Sequence, residues 1–241
     1  MLEVTILVVV LCASVPHISS HTANSTNSSV LERHAFFRRN ESVINLDHSG
    51  LEKIKRGAFK DVRVYRLNIT NNPLKAIKKG AFANVSVHEI FLYGNNISLI
   101  EPDSFHGFHP YNGSKILTLS LANNKLEVIK TGIFNNTRFS RLFFNNNKIK
   151  YIEPGAFGKM KQLTQIDLVN NRLEKIDVGV FQNLGRRSFS ILLNLSKNRI
   201  NYIHPYAFEN TSLAVLGLEN NGLDGFEENY FKNTNISSLY I

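Results

Sequence analysis

The sequence contains very little cysteine and no tryptophan, since Cys12 is the single cysteine in 241 residues. A chain without cysteine pairs cannot be held together by disulfide bonds or offer a zinc ion a set of thiolate ligands. Because Cys12 lies in an N-terminal segment that we expect to be removed, the remaining chain also lacks a thiol for nucleophilic catalysis. Hydrophobic residues make up 43% and charged residues 20% of the chain, so it is expected to fold.

Long hydrophobic runs are missing too, apart from one near the N-terminus. Residues 4–15 are almost wholly apolar, but this run of twelve is shorter than the roughly 20 residues of a transmembrane helix. Pro16, Ser19, Ser20 and a polar segment follow, in the order typical of a secretory signal peptide. A short membrane anchor or a buried helix is the alternative. We predict a signal peptide over residues 1–20, a polar segment over 21–30 and an extracellular chain without a transmembrane segment.

Asparagine is common, and eleven asparagines begin an N-x-S/T sequon. Sequons are the acceptors of N-glycosylation in exported proteins, although an asparagine-rich chain produces some by chance. Nine of them, including Asn235, fall in the region that we expect to fold, and the eight taken as candidate glycosylation sites are Asn40, Asn68, Asn84, Asn96, Asn112, Asn135, Asn194 and Asn210.

One pattern recurs along the chain with spacings of 23 to 29 residues. The phrase I-x-x-G-A-F and its variants end at phenylalanines, and an asparagine (once Ser49) lies ten residues before each phenylalanine. The whole unit reads L-x-x-L-x-L-x-x-N-x-L-x-x-I-x-x-x-x-F. Eight full copies end near Phe59, Phe82, Phe105, Phe134, Phe157, Phe181, Phe208 and Phe231, with a partial copy before and after them.

This unit resembles the leucine-rich repeat family in its extracellular form, and the resemblance covers residues 31–241. It implies an α/β repeat fold, a leucine-rich repeat solenoid with short parallel strands on the concave face and an irregular or 3-10 convex side. Alternating leucines bury one face of each strand, and stacked units share one continuous core. The asparagines are expected to bond to backbone groups and to one another, and the phenylalanines to form a spine.

The array departs from regularity in three places. Residues 106–118 and 182–192 lengthen two units, and these insertions are expected to bulge from the convex or descending side. Extracellular members of the family usually close their ends with cysteine-rich caps, which are missing. Either the chain is a fragment of a longer receptor-like protein, or it is a short protein with polar caps.

Sequence motifs for catalysis are absent: there is no G-x-S-x-G, no Walker loop and no G-x-G-x-x-G. His106 and His109 are three residues apart but lack a third metal ligand. We therefore expect no enzyme activity, no metal and no cofactor.

The residues between the buried strand positions are expected to line the concave face. With strands about 4.8 Å apart, Phe91 and Tyr93 should face Arg141 and Phe143 across a notch about 10 Å wide. Exposed aromatic and arginine side chains dominate interfaces, although aromatics on a sheet often just pack on each other. The candidate ligand-binding residues are Arg66, Glu89, Phe91, Tyr93, Ser120, Arg141 and Phe143. Glycans on Asn68 or Asn194 would border this face.

Positive charge is concentrated in the first part of the array. Residues 30–161 contain 21 basic and 10 acidic residues, whereas residues 162–241 contain 7 and 8. A column of basic residues directly follows the repeat asparagines and could bind a sulfated glycosaminoglycan, or could simply be a solvated edge that nearby glutamates neutralise. Its members are Lys125, Lys148, Arg172 and Arg199. Nucleic acid is not an expected partner of an exported chain.

The unit is similar to the ectodomain arrays of Toll-like receptors, Slit-like guidance proteins and chaoptin- or connectin-like adhesion proteins. The resemblance implies a non-catalytic, secreted or cell-surface module that binds a protein ligand or co-receptor through its concave face, in adhesion, guidance or innate immune sensing. The alternative is a secreted matrix-type component that binds glycosaminoglycan through its basic edge.

Overall fold

The computed structural model describes residues 29–185, 190–225 and 227–241. The predicted signal peptide and most of the polar segment lie outside the described residues. These ranges form 18 strands and two short 3-10 helices, η1 (Tyr111–Gly113) and η2 (Glu228–Phe231). In chain order the strands are β1 (Val30–Leu31), β2 (Asn40–Asn45), β3 (Lys53–Ile54), β4 (Arg63–Asn68), β5 (Ala76–Ile77), β6 (Ser86–Phe91), β7 (Leu99–Ile100), β8 (His109–Pro110), β9 (Thr118–Ser120), β10 (Val128–Ile129), β11 (Arg141–Phe143), β12 (Tyr151–Ile152), β13 (Gln165–Asp167), β14 (Lys175–Ile176), β15 (Ile191–Asn194), β16 (Tyr202–Ile203), β17 (Ser212–Gly217) and β18 (Asn235–Tyr240).

The strands build a parallel solenoid. The main sheet has the order β18-β17-β15-β13-β11-β9-β6-β4-β2, and β8 pairs with β6 beside this path. Outside the main sheet, corresponding residues of adjacent turns pair in four two-stranded parallel sheets. These sheets are β1-β3, β5-β7, β10-β12 and β14-β16. The predicted leucine-rich repeat solenoid, with its short parallel strands on the concave face, is confirmed.

The core is a continuous stack of equivalent side chains. The inward positions of successive main-sheet strands pair in register, as Leu67 does with Ile90 and Ile90 with Leu119. Behind them, phenylalanine rings from neighbouring turns lie 5.1 to 6.5 Å apart, centroid to centroid. The expected phenylalanine spine is therefore present. Phe108 and Phe139 add edge-on contacts to Phe105, where the chain has its first insertion.

The repeat asparagines satisfy backbone groups of their own and neighbouring turns. Asn147 is representative: its Nδ2 donates to the carbonyls of Leu121 and Phe144, both at 2.9 Å, and its Oδ1 accepts from the amide of Leu126 at 3.0 Å. The recorded partners of these asparagines are backbone groups, so the expectation that they bond to one another is wrong. A side-chain bond between turns joins the preceding column instead, from Asn170 Nδ2 to Asn146 Oδ1 at 2.8 Å.

That preceding column explains the asparagine doublets. The residue before each repeat asparagine or Ser49 has a left-handed backbone, with φ between 51° and 70°. Asparagine and glycine tolerate this conformation better than other residues do. The column contains His48, Asn71, Gly94, Asn123, Asn146, Asn170, Lys197 and Asn220.

The first insertion reaches the main sheet, so its expected position on the convex or descending side is wrong. His109 and Pro110 pair in parallel with Ser86 and Val87, ahead of the point where β9 takes over the pairing with β6. The extra residues extend the sheet edge because the unpaired start of β6 offers them backbone partners. Residues 186–189 of the second insertion lie outside the described part of the chain.

Candidate functional site

Three strands bring the predicted concave residues together. In the main sheet, Glu89 pairs with Thr118 and Thr118 with Arg141. Two residues further along, Phe91 pairs with Ser120 and Ser120 with Phe143. The large side chains of β6 and β11 therefore flank the small ones of β9, as the sequence predicts. We call this group, with Arg66 and Tyr93, the recognition face.

One wall of the recognition face is a packed trio of side chains. Nε and Nη2 of Arg66 donate to the same oxygen, Oε2 of Glu89, at 3.0 and 2.7 Å. The Arg66 guanidinium carbon also lies 5.4 Å from the ring centroid of Phe91, in cation–π geometry. The ring of Tyr93 follows 6.1 Å from that of Phe91, and Tyr93 is 39% exposed. The wall is thus held in place by contacts within the sheet.

The floor of the recognition face is small but not open. Thr118, Ser120 and Ala122 are buried, with between 6 and 9% of their surface exposed. These short side chains are therefore largely covered by their neighbours. A partner would touch mainly the walls, and Ser120 lies beneath the contact surface.

The opposite wall of the recognition face is formed by Arg141 and Phe143. Arg141 is exposed and Phe143 is half-buried. Within the described residues no carboxylate lies in ion-pair distance of Arg141, in contrast to Arg66. The face thus offers aromatic surface beside one unpaired guanidinium, a combination that is enriched at protein interfaces.

Sequence reasoning missed a second aromatic cluster at the edge of this face. The rings of Tyr65 and His88 stack at 4.7 Å, and Tyr111 meets Tyr65 edge-on at 6.3 Å. Ser114 Oγ lies 3.1 Å from His88 Nδ1. Tyr111 and Ser114 come from the first insertion, so its path had to be known before this edge cluster could be found.

The electrostatic surroundings of His88 link the edge cluster to the walls. Partial burial lowers the pKa of His88 below its usual value. The charge of Glu89 opposes this shift, whereas those of Arg141 and Arg66 add to it. Burial and the two positive charges thus favour the neutral form of His88.

A buried carboxylate lies beside the second wall. Asp167 pairs with Phe143 in the main sheet and is 7% exposed. Burial raises the pKa of Asp167, although the amide of Val169 donates to its Oδ1 at 3.0 Å and opposes the shift. This carboxylate is not available to a partner as a free charge.

Two candidate glycosylation sites border the recognition face. Asn68 is half-buried, and its Nδ2, the atom that carries a glycan, donates to Asn45 Oδ1 at 2.9 Å. Asn194 is also half-buried, and its Oδ1 accepts from the amide of Ser196 at 3.0 Å. Among the other candidates, the exposed ones are Asn40, Asn84, Asn112 and Asn210, and the half-buried ones are Asn96 and Asn135. Glycan occupancy at all of them stays a prediction.

The predicted basic column lies on the flank of the solenoid. Lys125, Arg172 and Arg199 are exposed and Lys148 is half-buried. Glu127 lies among them: Lys150 lowers its pKa by a hydrogen bond and by charge, and the charges of Lys148 and Arg172 lower it further. A carboxylate therefore offsets part of the charge of this column, and its polyanion binding stays a prediction.

The described residues contain neither a cluster of metal ligands nor a membrane-spanning helix. No group of three or more histidine, cysteine, aspartate or glutamate side chains in these ranges could hold a metal ion. No helix in the same ranges is long and apolar enough to cross a membrane.

The sequence and the fold together define the class of protein. The sequence model described as "Leucine rich repeat" matches residues 62–109, 114–173 and 162–223, which is more than half of the chain. The chain therefore belongs to the leucine-rich repeat family, and the predicted resemblance is confirmed. Among curated proteins, none matches the sequence.

Solved structures with the same fold include two Toll-like ectodomains. Toll of Drosophila, solved in complex with Spatzle, is 17% identical with a TM-score of 0.54, over 81% of this chain and 29% of that chain. TLR13, solved in complex with ssRNA13, is 21% identical with a TM-score of 0.54, over 78% of this chain and 30% of that chain. This chain spans less than a third of either relative, and at these identities the likeness establishes the fold alone.

Proposed function

We propose that this protein is a non-catalytic recognition module, secreted or displayed at the cell surface, that binds a protein ligand or co-receptor through its recognition face. The observation that carries the proposal is the placement of partly exposed aromatic side chains and the exposed Arg141 on and beside two strands that flank a buried third strand. Phe91, Tyr93, Arg141 and Phe143 stand around a buried floor, within a sheet whose geometry is set by the core. Preorganised aromatic and arginine anchors lose little entropy on binding.

The similar structures support a binding role and leave two ligand classes to compare. Toll was solved with Spatzle and TLR13 with ssRNA13. The chemistry of this face favours a protein. Arg66 is paired with Glu89, so Arg141 is the cation that remains for a phosphate backbone, and a nucleic-acid groove needs a track of such charges. The signal peptide and the sequons predicted from the sequence agree with an extracellular role in adhesion, guidance or immune sensing.

The test is a binding screen of the secreted chain, as a multivalent fusion, against a panel of purified extracellular proteins. For a ligand found in this way, Phe91→Ala and Phe143→Ala should each weaken binding by at least about 30-fold, the loss of a hot spot worth roughly 2 kcal/mol. Tyr202→Ala is the matched control, because Tyr202 is 45% exposed on the flank of the array and should not alter binding. Melting temperatures close to wild type would confirm that the variants fold.

Two results would contradict this proposal. One is a ligand whose affinity survives both phenylalanine substitutions but falls with Tyr202→Ala. The other is a panel without any protein ligand, combined with salt-sensitive binding of single-stranded RNA that requires Arg141. That second result would indicate that the protein recognises nucleic acid instead of a protein ligand.

A further inference from the structure

A groove crosses the convex side of the first turns, on the opposite side of the solenoid from the recognition face. It has a volume of about 570 Å³, and four long basic side chains contribute to its lining. The basic side chains are Arg33, Arg56, Lys60 and Lys79, and Asp103 and His106 also line the groove. None of these residues belongs to the basic column of Lys125, Lys148, Arg172 and Arg199.

The repeat phrase explains why the basic side chains meet there. Arg33, Arg56 and Lys79 occupy the same position of three successive copies, LERHAF, IKRGAF and IKKGAF. The next copies have Pro102 and Thr131 at this position, so the column of charge ends after three turns. Much of the positive excess in the first part of the chain is therefore gathered on one side of these turns.

A glycine keeps the floor of the groove low. Gly80 has a left-handed backbone with φ of 75°, which favours glycine, and it leaves room for the neighbouring arginine. A Cβ atom built on Gly80 would lie 3.1 Å from Cγ and 3.2 Å from Nε of Arg56. The Arg56 side chain thus lies across the bare backbone of Gly80 and lines the groove.

Most of the positive charge in the groove is unpaired. Lys79 donates to Asp103 Oδ2 at 2.9 Å. Across the part of the chain that the structure describes, Arg33, Arg56 and Lys60 have no carboxylate within ion-pair distance, and all three are exposed. Folding therefore holds three unneutralised cations next to one another, and a bound anion would relieve their repulsion.

We propose that this groove binds the sulfate groups of a sulfated glycosaminoglycan. Guanidinium groups bind sulfate and phosphate oxygens in pairs, and ammonium groups add point charges. A column that repeats once per turn along the solenoid suits a linear polymer with regularly spaced anions better than it suits a single ion.

The groove is less suited to single-stranded nucleic acid, the other common linear polyanion. Such sites combine basic side chains with exposed aromatic rings on which the bases stack. Phe82, the phenylalanine that lines this groove, is fully buried in the spine, and the exposed rings in the lining are the small imidazoles of His34 and His106. A sulfated sugar chain needs the charges alone, so it is the better match.

The test is heparin binding by the full secreted protein, with two variants of equal charge. The groove variant is Arg33→Gln, Arg56→Gln and Lys60→Gln. The control variant is Lys125→Gln, Lys148→Gln and Arg172→Gln, which removes the same charge from the flank column. We expect the slope of log affinity against log salt concentration to fall by about three for the groove variant, about one per lost contact. Affinity at physiological salt should fall at least tenfold for that variant and much less for the control.

Competition experiments test whether the groove recognises sulfate groups. Desulfated heparin and single-stranded oligonucleotides of similar length should compete poorly with heparin, and Phe91→Ala should leave heparin binding unchanged. Equal losses in both triple variants, a larger loss in the control, or an oligonucleotide that competes as well as heparin would overturn the proposal. Absence of heparin binding by the wild-type protein would overturn it as well. None of these results depends on the protein ligand of the recognition face.

Discussion

Arg66 and Glu89 share a two-pronged contact in which both donor nitrogens of the arginine meet one oxygen of the carboxylate, at 3.0 and 2.7 Å. The pair joins two adjacent strands of the main sheet and holds the guanidinium over the ring of Phe91. It therefore fixes the wall of the recognition face before any partner arrives.

We expect the stabilising effect of this pair to be modest, because both side chains keep part of their surface in water. A double-mutant cycle with Arg66→Ala and Glu89→Ala, followed by urea unfolding, should give a coupling energy of about 0.2–1 kcal/mol. The pair Lys55 and Glu32 is the control, since its side chains are 54% and 62% exposed and its coupling should be smaller. A larger coupling for the control pair would contradict this account.

The phenylalanine spine should dominate the stability of the array. Phe157 is fully buried, with the rings of Phe134 and Phe181 at 6.0 and 5.9 Å on either side. Phe157→Ala removes both contacts and leaves a cavity, so we expect a loss of about 3–5 kcal/mol in the free energy of unfolding. Phe231→Ala should cost less, because Phe231 is only partly buried. Denaturant unfolding followed by circular dichroism measures both, and equal losses would argue against the spine as the main contributor.

The regular part of the fold was predictable because its physical causes are local and periodic. In each unit the chain follows the same path from the repeat asparagine to the phenylalanine of the spine. Ten residues therefore separate Asn147 from Phe157, and the same interval recurs in the other units. The same periodicity places Phe91 and Phe143 on either side of Ser120, since the strands pair in register.

The parts that could not be predicted depend on departures from the repeat. The insertion that carries Tyr111 pairs with the start of β6, and no periodic pattern in the sequence predicts this pairing. The basic groove was missed for another reason. Arg33 and Arg56 are visible in the repeat phrase, but the sequence does not show which carboxylates lie near them on the convex side.

The repeat asparagines differ in how many bonds they make, and their substitution should show it. Asn147 donates to two carbonyls at 2.9 Å and accepts from the Leu126 amide, so Asn147→Ala leaves buried backbone groups without partners. We expect a loss of about 1–3 kcal/mol. Asn95 donates in the same way, but its buried Oδ1 has no partner among the described residues. Asn95→Ala should therefore cost less than Asn147→Ala by about one hydrogen bond, or roughly 1 kcal/mol. Urea unfolding of the two variants in parallel measures the difference, and the reverse order would contradict it.

Asp167 should make stability depend on pH in an unusual direction. Burial raises the pKa of Asp167 in the folded chain, so the folded state binds its proton more tightly than the unfolded state does. The free energy of unfolding should therefore decrease as pH rises from the ordinary aspartate pKa, about 3.9, through the raised folded value. Asp167→Asn keeps an oxygen that can accept from the Val169 amide but removes the charge.

This variant should be more stable than wild type at neutral pH, and the difference should disappear as the pH falls below the unfolded pKa. Urea midpoints measured from below the unfolded aspartate pKa, about 3.9, up to neutral pH give the comparison. Because the titration of every other group is common to both proteins, their difference isolates Asp167. A variant that is less stable than wild type at pH 7, with a gap that narrows on acidification, would mean that the charged carboxylate stabilises the sheet instead.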